Sequence, residues 1–301
     1  MAEPNWIELA GVVNMRDLGG LTTERGEVVQ ARRLLRSDNL QDLPADSVRT
    51  LVARYGLTDV VDLRTDVEVV REGEGPLRAL PEVRHHHLTL YREDTDESGI
   101  PAAERSLPWE RGDAEAAATR RAAEAASPSS PAATPPSHDE FWSQHYLSYL
   151  DQRPDSIVAA LRAVADGEGA VVVHCAAGKD RTGTVVGVAL KAVGVPDEEI
   201  EADYAASAER VPRILDRLRQ RPAYAANLRD KSVAQQSPTT DTMRLLLDAL
   251  ENRLGGVHAW LAGHGFDADD VERLRRKLLA PDAHSDDRAA ADGPGDAGQP
   301  A

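Results

Sequence analysis

Ala170-Val171-Val172-Val173-His174-Cys175-Ala176-Ala177-Gly178-Lys179-Asp180-Arg181-Thr182-Gly183 is the stretch that decides the fold. It opens on a short continuous apolar run, the pattern of a strand buried on both faces at the centre of a parallel sheet. It then passes through His174 and a glycine-containing turn into TGTVVGVALKAVG, an apolar helix closed by Gly194 and Pro196. A strand, a tight loop and a helix in that order form half of a βαβ unit. Upstream, Leu57 to Arg64 reads as a second buried strand. Asp46 to Tyr55 before it has helical spacing, with Val48, Leu51 and Val52 on one face and Gly56 as the stop. Val83 to Leu90 reads as a further strand, and Asp241 to Leu254 and Asp269 to Leu279 as amphipathic helices. The expected architecture is therefore α/β: a central, mainly parallel sheet flanked by helices, with the loop at a strand's C-terminal end.

Composition bounds the remaining choices. With 301 residues, 41% hydrophobic and 29% charged, the chain can bury a large core. The formal charge of −16 disfavours nucleic acid and anionic membrane as broad-surface partners, while leaving room for a local basic pocket. Cys175 is the single cysteine, which excludes an intrachain disulfide and a multi-cysteine metal site. No apolar run reaches membrane-helix length, and MAEPNWIELAG has neither the charged nor the apolar region of a secretory leader. The expected compartment is the cytoplasm, with export by a non-standard route left open. Residues 1–280 read as one domain. Residues 92–140, acidic and Ala-, Pro- and Ser-rich, read as a partly disordered insertion that buries little surface and is either a lid or a tolerated excursion. A helix resumes near Asp139, which reads as its N-cap. Residues 281–301 read as a disordered acidic tail.

The loop has the composition of an anion cradle. The backbone N–H groups of Ala176, Ala177, Gly178 and Lys179 can curl around one point, with the positive end of the following helix aimed at it. Gly178 allows the backbone turn that points amides inward. A thiol at Cys175 in such a field is expected to ionise readily. Arg181 can return over the loop to fork two phosphoryl oxygens. Thr182 can bring a hydroxyl close to the sulfur and help it depart.

These residues, as His174-Cys175-x-x-Gly178-Lys179-Asp180-Arg181-Thr182, resemble the signature of the bacterial tyrosine phosphatases. Asn14-Met15-Arg16-Asp17-Leu18-Gly19-Gly20, Leu35-Arg36-Ser37, Val61-Asp62-Leu63-Arg64-Thr65, Gly194 to Ile200, Asp203-Tyr204 and Gly255 to Leu261 are similar to the family in the same order. The resemblance implies a Cys-dependent phosphatase acting on phosphotyrosine, in some members also on phosphoserine, phosphothreonine or phosphoinositides. Cys175 is then the nucleophile, with Arg181 and the loop amides on the phosphoryl oxygens. Such chemistry requires no metal or other cofactor. A phosphotyrosine-containing protein is the first expected substrate. A phosphoinositide is the alternative, raised by Lys179, which could meet a second phosphate. A catalytically silent phosphate-binding module is the reading from another class, opposed by the presence of both Cys175 and Arg181.

The general acid has two candidates. No Trp-Pro-Asp triplet precedes the cysteine. The resemblance points to Asp180 inside the loop, where it could protonate a leaving phenolate; Asp62, at a strand end, is the other. His174 is expected to bond the loop backbone, and Arg64 to sit in an ion pair. Asn14, Arg16 and Asp17 either border the site or cap the first strand. His85 and His87 share a strand face without a third ligand, which argues against a metal site.

Overall fold

The computed structural model describes residues 3–92, 100–110 and 135–280. Six strands form one sheet in the order β1-β2-β3-β6-β4-β5. They are β1 (Asn5–Trp6), β2 (Arg16–Asp17), β3 (Leu34–Ser37), β4 (Leu57–Asp62), β5 (Arg84–His87) and β6 (Ala170–His174). The β3–β6, β6–β4 and β4–β5 pairs are parallel; the short β1 and β2 join the edge antiparallel. The expected mainly parallel α/β sheet is the one observed.

The alternation of side chains explains why the first four residues of β6, Ala170 to Val173, are all apolar. Val171 and Val173 enter the larger core with Leu34, Val61 and Leu63, whereas Ala170 and Val172 enter a second core with Leu35, Leu57 and Val60. Each fully buried valine contributes about 1.5–3 kcal/mol, so a polar residue anywhere in this run would be costly. Helix α1 (Ala45–Ala53) covers the smaller core through Val48 and Leu51. The larger core lies under α3 (His138–Gln152), α4 (Pro154–Asp166), α5 (Asp180–Ala192), α8 (Thr240–Leu254), α9 (Val257–Gly263) and α10 (Ala268–Leu278). Helices α2 (Asp66–Glu72), α6 (Asp197–Ala206) and α7 (Val211–Leu218) gather at the C-terminal ends of the parallel strands. The strand registers pair Ser37 with His174 and His174 with Asp62, so three polar residues line up at that edge.

Two expectations need correction. Residues 100–110 do bury surface: Leu107 is fully buried in one apolar cluster with Val67, Ala176, Val211 and Tyr224, and Trp109 packs against that cluster. Two apolar side chains in an acidic, proline-rich background were enough to seat this stretch. The cap of α3 is Ser137, not Asp139: Ser137 and Glu140 form a reciprocal capping box, while Asp139 accepts hydrogen bonds from Thr239 and Thr242. The Ala-rich piece at 114–126 and the acidic tail fall outside the described residues. Among the described residues, no helix is long and apolar enough to cross a membrane.

Candidate active site

Cys175 follows directly on β6 and Asp180 begins α5, so the loop is short and its shape is set by what holds it from outside. Each carbonyl from Ala176 to Lys179 is pulled away from the loop's centre. Asn39 N–H donates to Ala176 O at 3.1 Å, and Asn14 Nδ2 to Ala177 O at 2.9 Å. Arg36 Nη2 donates to Gly178 O at 2.9 Å, and Gly183 N–H to Lys179 O at 2.7 Å. A peptide plane whose carbonyl points out turns its neighbouring N–H in. Among the described residues, no backbone N–H from Ala176 to Arg181 donates to a protein acceptor. Gly178 adopts φ +66°, and a Cβ there would lie 2.4 Å from the carbonyl of Ser37, so this position takes glycine on both counts.

The holding residues are themselves tied together. Asp203, on α6, accepts from Arg16 Nε at 2.7 Å and also from Arg36 Nη1. Arg16 Nη1 in turn donates to Asn14 Oδ1 at 3.0 Å. Burial and the neighbouring Arg36 push the Arg16 guanidinium down to about 10, against the pull of Asp203; it stays charged at neutral pH. Asn14 and Arg16 thus stand behind the loop. Asp17 does not: it accepts from the N–H groups of Gly19 and Arg32 in the adjoining turn.

Arg181 is 6% exposed and is held end-on by Glu68, a residue the sequence reading did not single out. Nη1 and Nη2 donate to the two Glu68 oxygens at 2.6 and 2.8 Å, and Nη1 also reaches Leu63 O at 3.2 Å. Of the five guanidinium donors, this leaves Nε–H and one Nη2–H, which lie along the other edge of the plane as a two-pronged fork. Glu68 is fully buried. Burial would raise its carboxyl, but Arg181 and two further hydrogen-bond partners, Thr65 N–H and Tyr224 Oη, outweigh burial and hold it below the usual range. It is also the N3 residue of α2, completing a capping box with Thr65. That Thr-x-x-Glu spacing was the available signal.

The two acid candidates part here. Asp62 accepts from Arg64 through its backbone N–H, Nε and Nη2, and lies 3.6 Å from His174 Nε2. Burial would raise this carboxyl, but His174 and Arg64 overcome it and hold Asp62 far below the carboxylate range. Asp62 is thus the ion-pair partner of Arg64, clamped by three of its N–H groups. Asp180 is partly exposed at the head of α5 and accepts a hydrogen bond from Tyr146 Oη. His174 Nδ1 lies 3.3 Å from Cys175 O; burial pushes this imidazole down to about 4, so it is neutral, with its hydrogen on Nδ1. Thr182 is fully buried and its hydroxyl makes no hydrogen bond, so the expected contact with the sulfur is not formed in this structure.

Around the loop stands a wall of aromatic rings. Tyr91 lies 5.5 Å from the Arg181 guanidinium, Trp109 packs between Tyr91 and Tyr224, and Trp142 lies 4.9 Å from Lys179 Nζ. Lys179 also donates to Gln236 O at 2.6 Å and lies 3.5 Å from Asp180, so its ammonium is already engaged on three sides. Cys175 is 1% exposed beneath this arrangement. His86 and His87 bond Asp59 and Arg64 O respectively.

A buried cysteine opening a loop whose carbonyls are held from outside, with an arginine fork at the head of the next helix, is the arrangement of a Cys-dependent phosphatase loop. The chain belongs to the tyrosine phosphatase family, whose sequence profile matches residues 7–280, and it is a protein-tyrosine phosphatase. It is 30% identical over 286 residues to the triple specificity protein phosphatase PtpB of Mycobacterium tuberculosis, an alignment spanning 90% of this chain and 98% of that protein. It is 33% identical over 125 residues to a tyrosine-protein phosphatase of Nostoc commune, spanning 39% of this chain and 42% of the relative.

Proposed function

We propose that the enzyme hydrolyses phosphotyrosine in proteins through a cysteinyl-phosphate on Cys175. The Cys175 thiolate attacks phosphorus as the bond to the tyrosyl oxygen breaks, and Asp180 gives its proton to that oxygen. Water then attacks the phosphorus–sulfur bond, with Asp180 taking the water's proton back. The amides of Ala176 to Arg181 and the free edge of Arg181 hold the three equatorial oxygens, where charge stabilisation lowers the barrier most. The observation that carries this reading is the set of outward-held carbonyls, which aims a ring of unpaired N–H donors at one point.

Two observations favour an aryl phosphate over a phosphoinositide. The rim is aromatic, suited to a phenyl ring, and the Lys179 ammonium that a second phosphate would require is spent on Gln236, Trp142 and Asp180. Residues 100–110 act on this reading as part of a lid, since Leu107 and Trp109 pack over Ala176 and Tyr224 and must shift to admit substrate. The whole of 1–280 is then one phosphatase domain.

The test is metal-free phosphate release from a phosphotyrosine peptide, a phosphoserine/phosphothreonine peptide and phosphoinositides, each beside Cys175→Ser. Release led by phosphotyrosine and abolished in the variant is expected. Release led by phosphoinositides would overturn the substrate assignment, and turnover by Cys175→Ser would overturn the nucleophile.

A further inference from the structure

Asp180 does not face solvent alone. Its Oδ1 accepts a short hydrogen bond from the phenol of Tyr146 on α3, and the Tyr146 oxygen lies 2.7 Å from that of Tyr204 on α6. Tyr146 gives its only hydrogen to Asp180, so Tyr204 is the donor of the second bond, and the chain runs Tyr204 to Tyr146 to Asp180. Both rings are buried, at 0% and 1% exposure. Burial and the charge of Asp180 push both phenols well above the ordinary tyrosine range, so both keep their hydrogens at neutral pH. The far ring is seated closely as well: a Cβ on Gly183 would lie 2.8 Å from Tyr204 Cδ2, so α5 rests directly on that ring.

We infer that Tyr146 is a positioning residue for the general acid. The Tyr146 phenol and the Lys179 ammonium, 3.5 Å away, both lie on Oδ1, while among the described residues Oδ2 accepts no hydrogen bond. The carboxyl is therefore held in one rotation, with Oδ2 left to carry the proton. When the Oδ2 proton passes to the ester oxygen as the phosphorus–oxygen bond breaks, the negative charge left on the carboxyl is met at Oδ1 by a hydrogen bond already in place. A fixed donor aimed at charge that develops in the transition state needs no reorganisation at the moment of reaction. This inference rests on Asp180 being the acid.

Tyr146→Phe removes one oxygen and keeps the ring. The measurement is kcat and KM of wild type, Tyr146→Phe, Asp180→Asn and the double variant on phenyl phosphate, a poor leaving group, and 4-nitrophenyl phosphate, a good one. Tyr146→Phe should lower kcat on phenyl phosphate about tenfold with KM unchanged, a fraction of what a whole general acid supplies. It should leave 4-nitrophenyl phosphate nearly untouched and have no further effect in the Asp180→Asn background, because the two residues act as one unit. Equal loss on both substrates, or full loss persisting beside Asp180→Asn, would mean a structural role and overturn the inference. If Asp180→Asn alone shows no leaving-group dependence, the acid assignment itself fails. Should the single variant lose its fold, Tyr146→Phe/Tyr204→Phe, which strands no phenol, serves the same comparison.

Discussion

Replacing Glu68 by glutamine puts the support of Arg181 to a quantitative test. Four donors converge on its two oxygens. Oε2 takes Thr65 N–H at 2.8 Å and Arg181 Nη1 at 2.6 Å; Oε1 takes Arg181 Nη2 at 2.8 Å and Tyr224 Oη at 2.9 Å. Glutamine preserves the volume but turns one oxygen into a donor, and either orientation sets that NH2 against one guanidinium N–H and one neutral donor. The loss is one charge-assisted hydrogen bond, about 1.5–3 kcal/mol, and one neutral bond, about 1 kcal/mol. Arg181 also loses its buried counter-charge, so the urea-unfolding free energy should fall by about 3–4 kcal/mol. The phosphoryl fork is the other edge of the same guanidinium, and once its backing loosens kcat/KM on a phosphotyrosine peptide should drop on the order of 100-fold. Glu72→Gln is the control: that carboxylate is equally buried and bonds Ala223 N–H at 2.8 Å, yet it does not touch Arg181. It should cost stability and leave kcat/KM alone. Unchanged unfolding energy and unchanged kcat/KM in Glu68→Gln, or equal catalytic losses in both variants, would refute the reasoning.

Three further outcomes follow from the same structure. Gly178→Ala should cost at least about 2 kcal/mol, because a left-handed alanine is strained by about 1–2 kcal/mol before its Cβ meets the Ser37 carbonyl; a thermal melt and kcat/KM should fall together. His174, held neutral until about pH 4 in the fold, takes up a proton near 6.5 when unfolded. The unfolded chain therefore binds more protons between these values, and stability should decline as pH falls from 6.5 to 4, by up to about 3 kcal/mol. His174→Gln should flatten that part of the urea-midpoint profile, and an unchanged slope would exclude the histidine as its source. Leu107→Ala should loosen the cover over the sole thiol, so that iodoacetamide alkylates Cys175 faster than in wild type; an equal rate would show that residues 100–110 do not control access.

The parallel sheet was legible because β6 opens on four buried apolar residues, Ala170 to Val173, and β4 carries Leu57, Val60 and Val61, and the loop because its thiol, glycine and arginine sit at fixed spacing within a few residues. What escaped was whatever depends on residues far apart in the chain. Glu68 lies 113 residues from Arg181 and looks like an ordinary member of an acidic first helical turn. Asp62 looked like an acid at a strand end; that Arg64, two residues on, folds back to clamp it is a matter of side-chain direction, which spacing alone does not reveal. Residues 100–110 were read by average composition, and an average conceals two apolar side chains that find a shared pocket.

The distant residues also explain why so short a loop needs so long a chain. An amide ring pointing at one spot concentrates partial positive charge and, before an anion arrives, leaves several N–H groups unpaired, an arrangement the backbone would relax if it could. It cannot relax here, because Asn14 and Arg36 reach the loop carbonyls from 163 and 142 residues away and are locked in turn through Asp203 to α6. The buried guanidiniums of Arg16 and Arg36 share that one carboxylate, so loss of Asp203 would strand two cations and free the loop at once. The motifs flanking the signature are therefore the loop's outer frame: without them the Cys175-to-Arg181 segment would still carry its chemistry but would lose the fixed geometry that makes the chemistry fast.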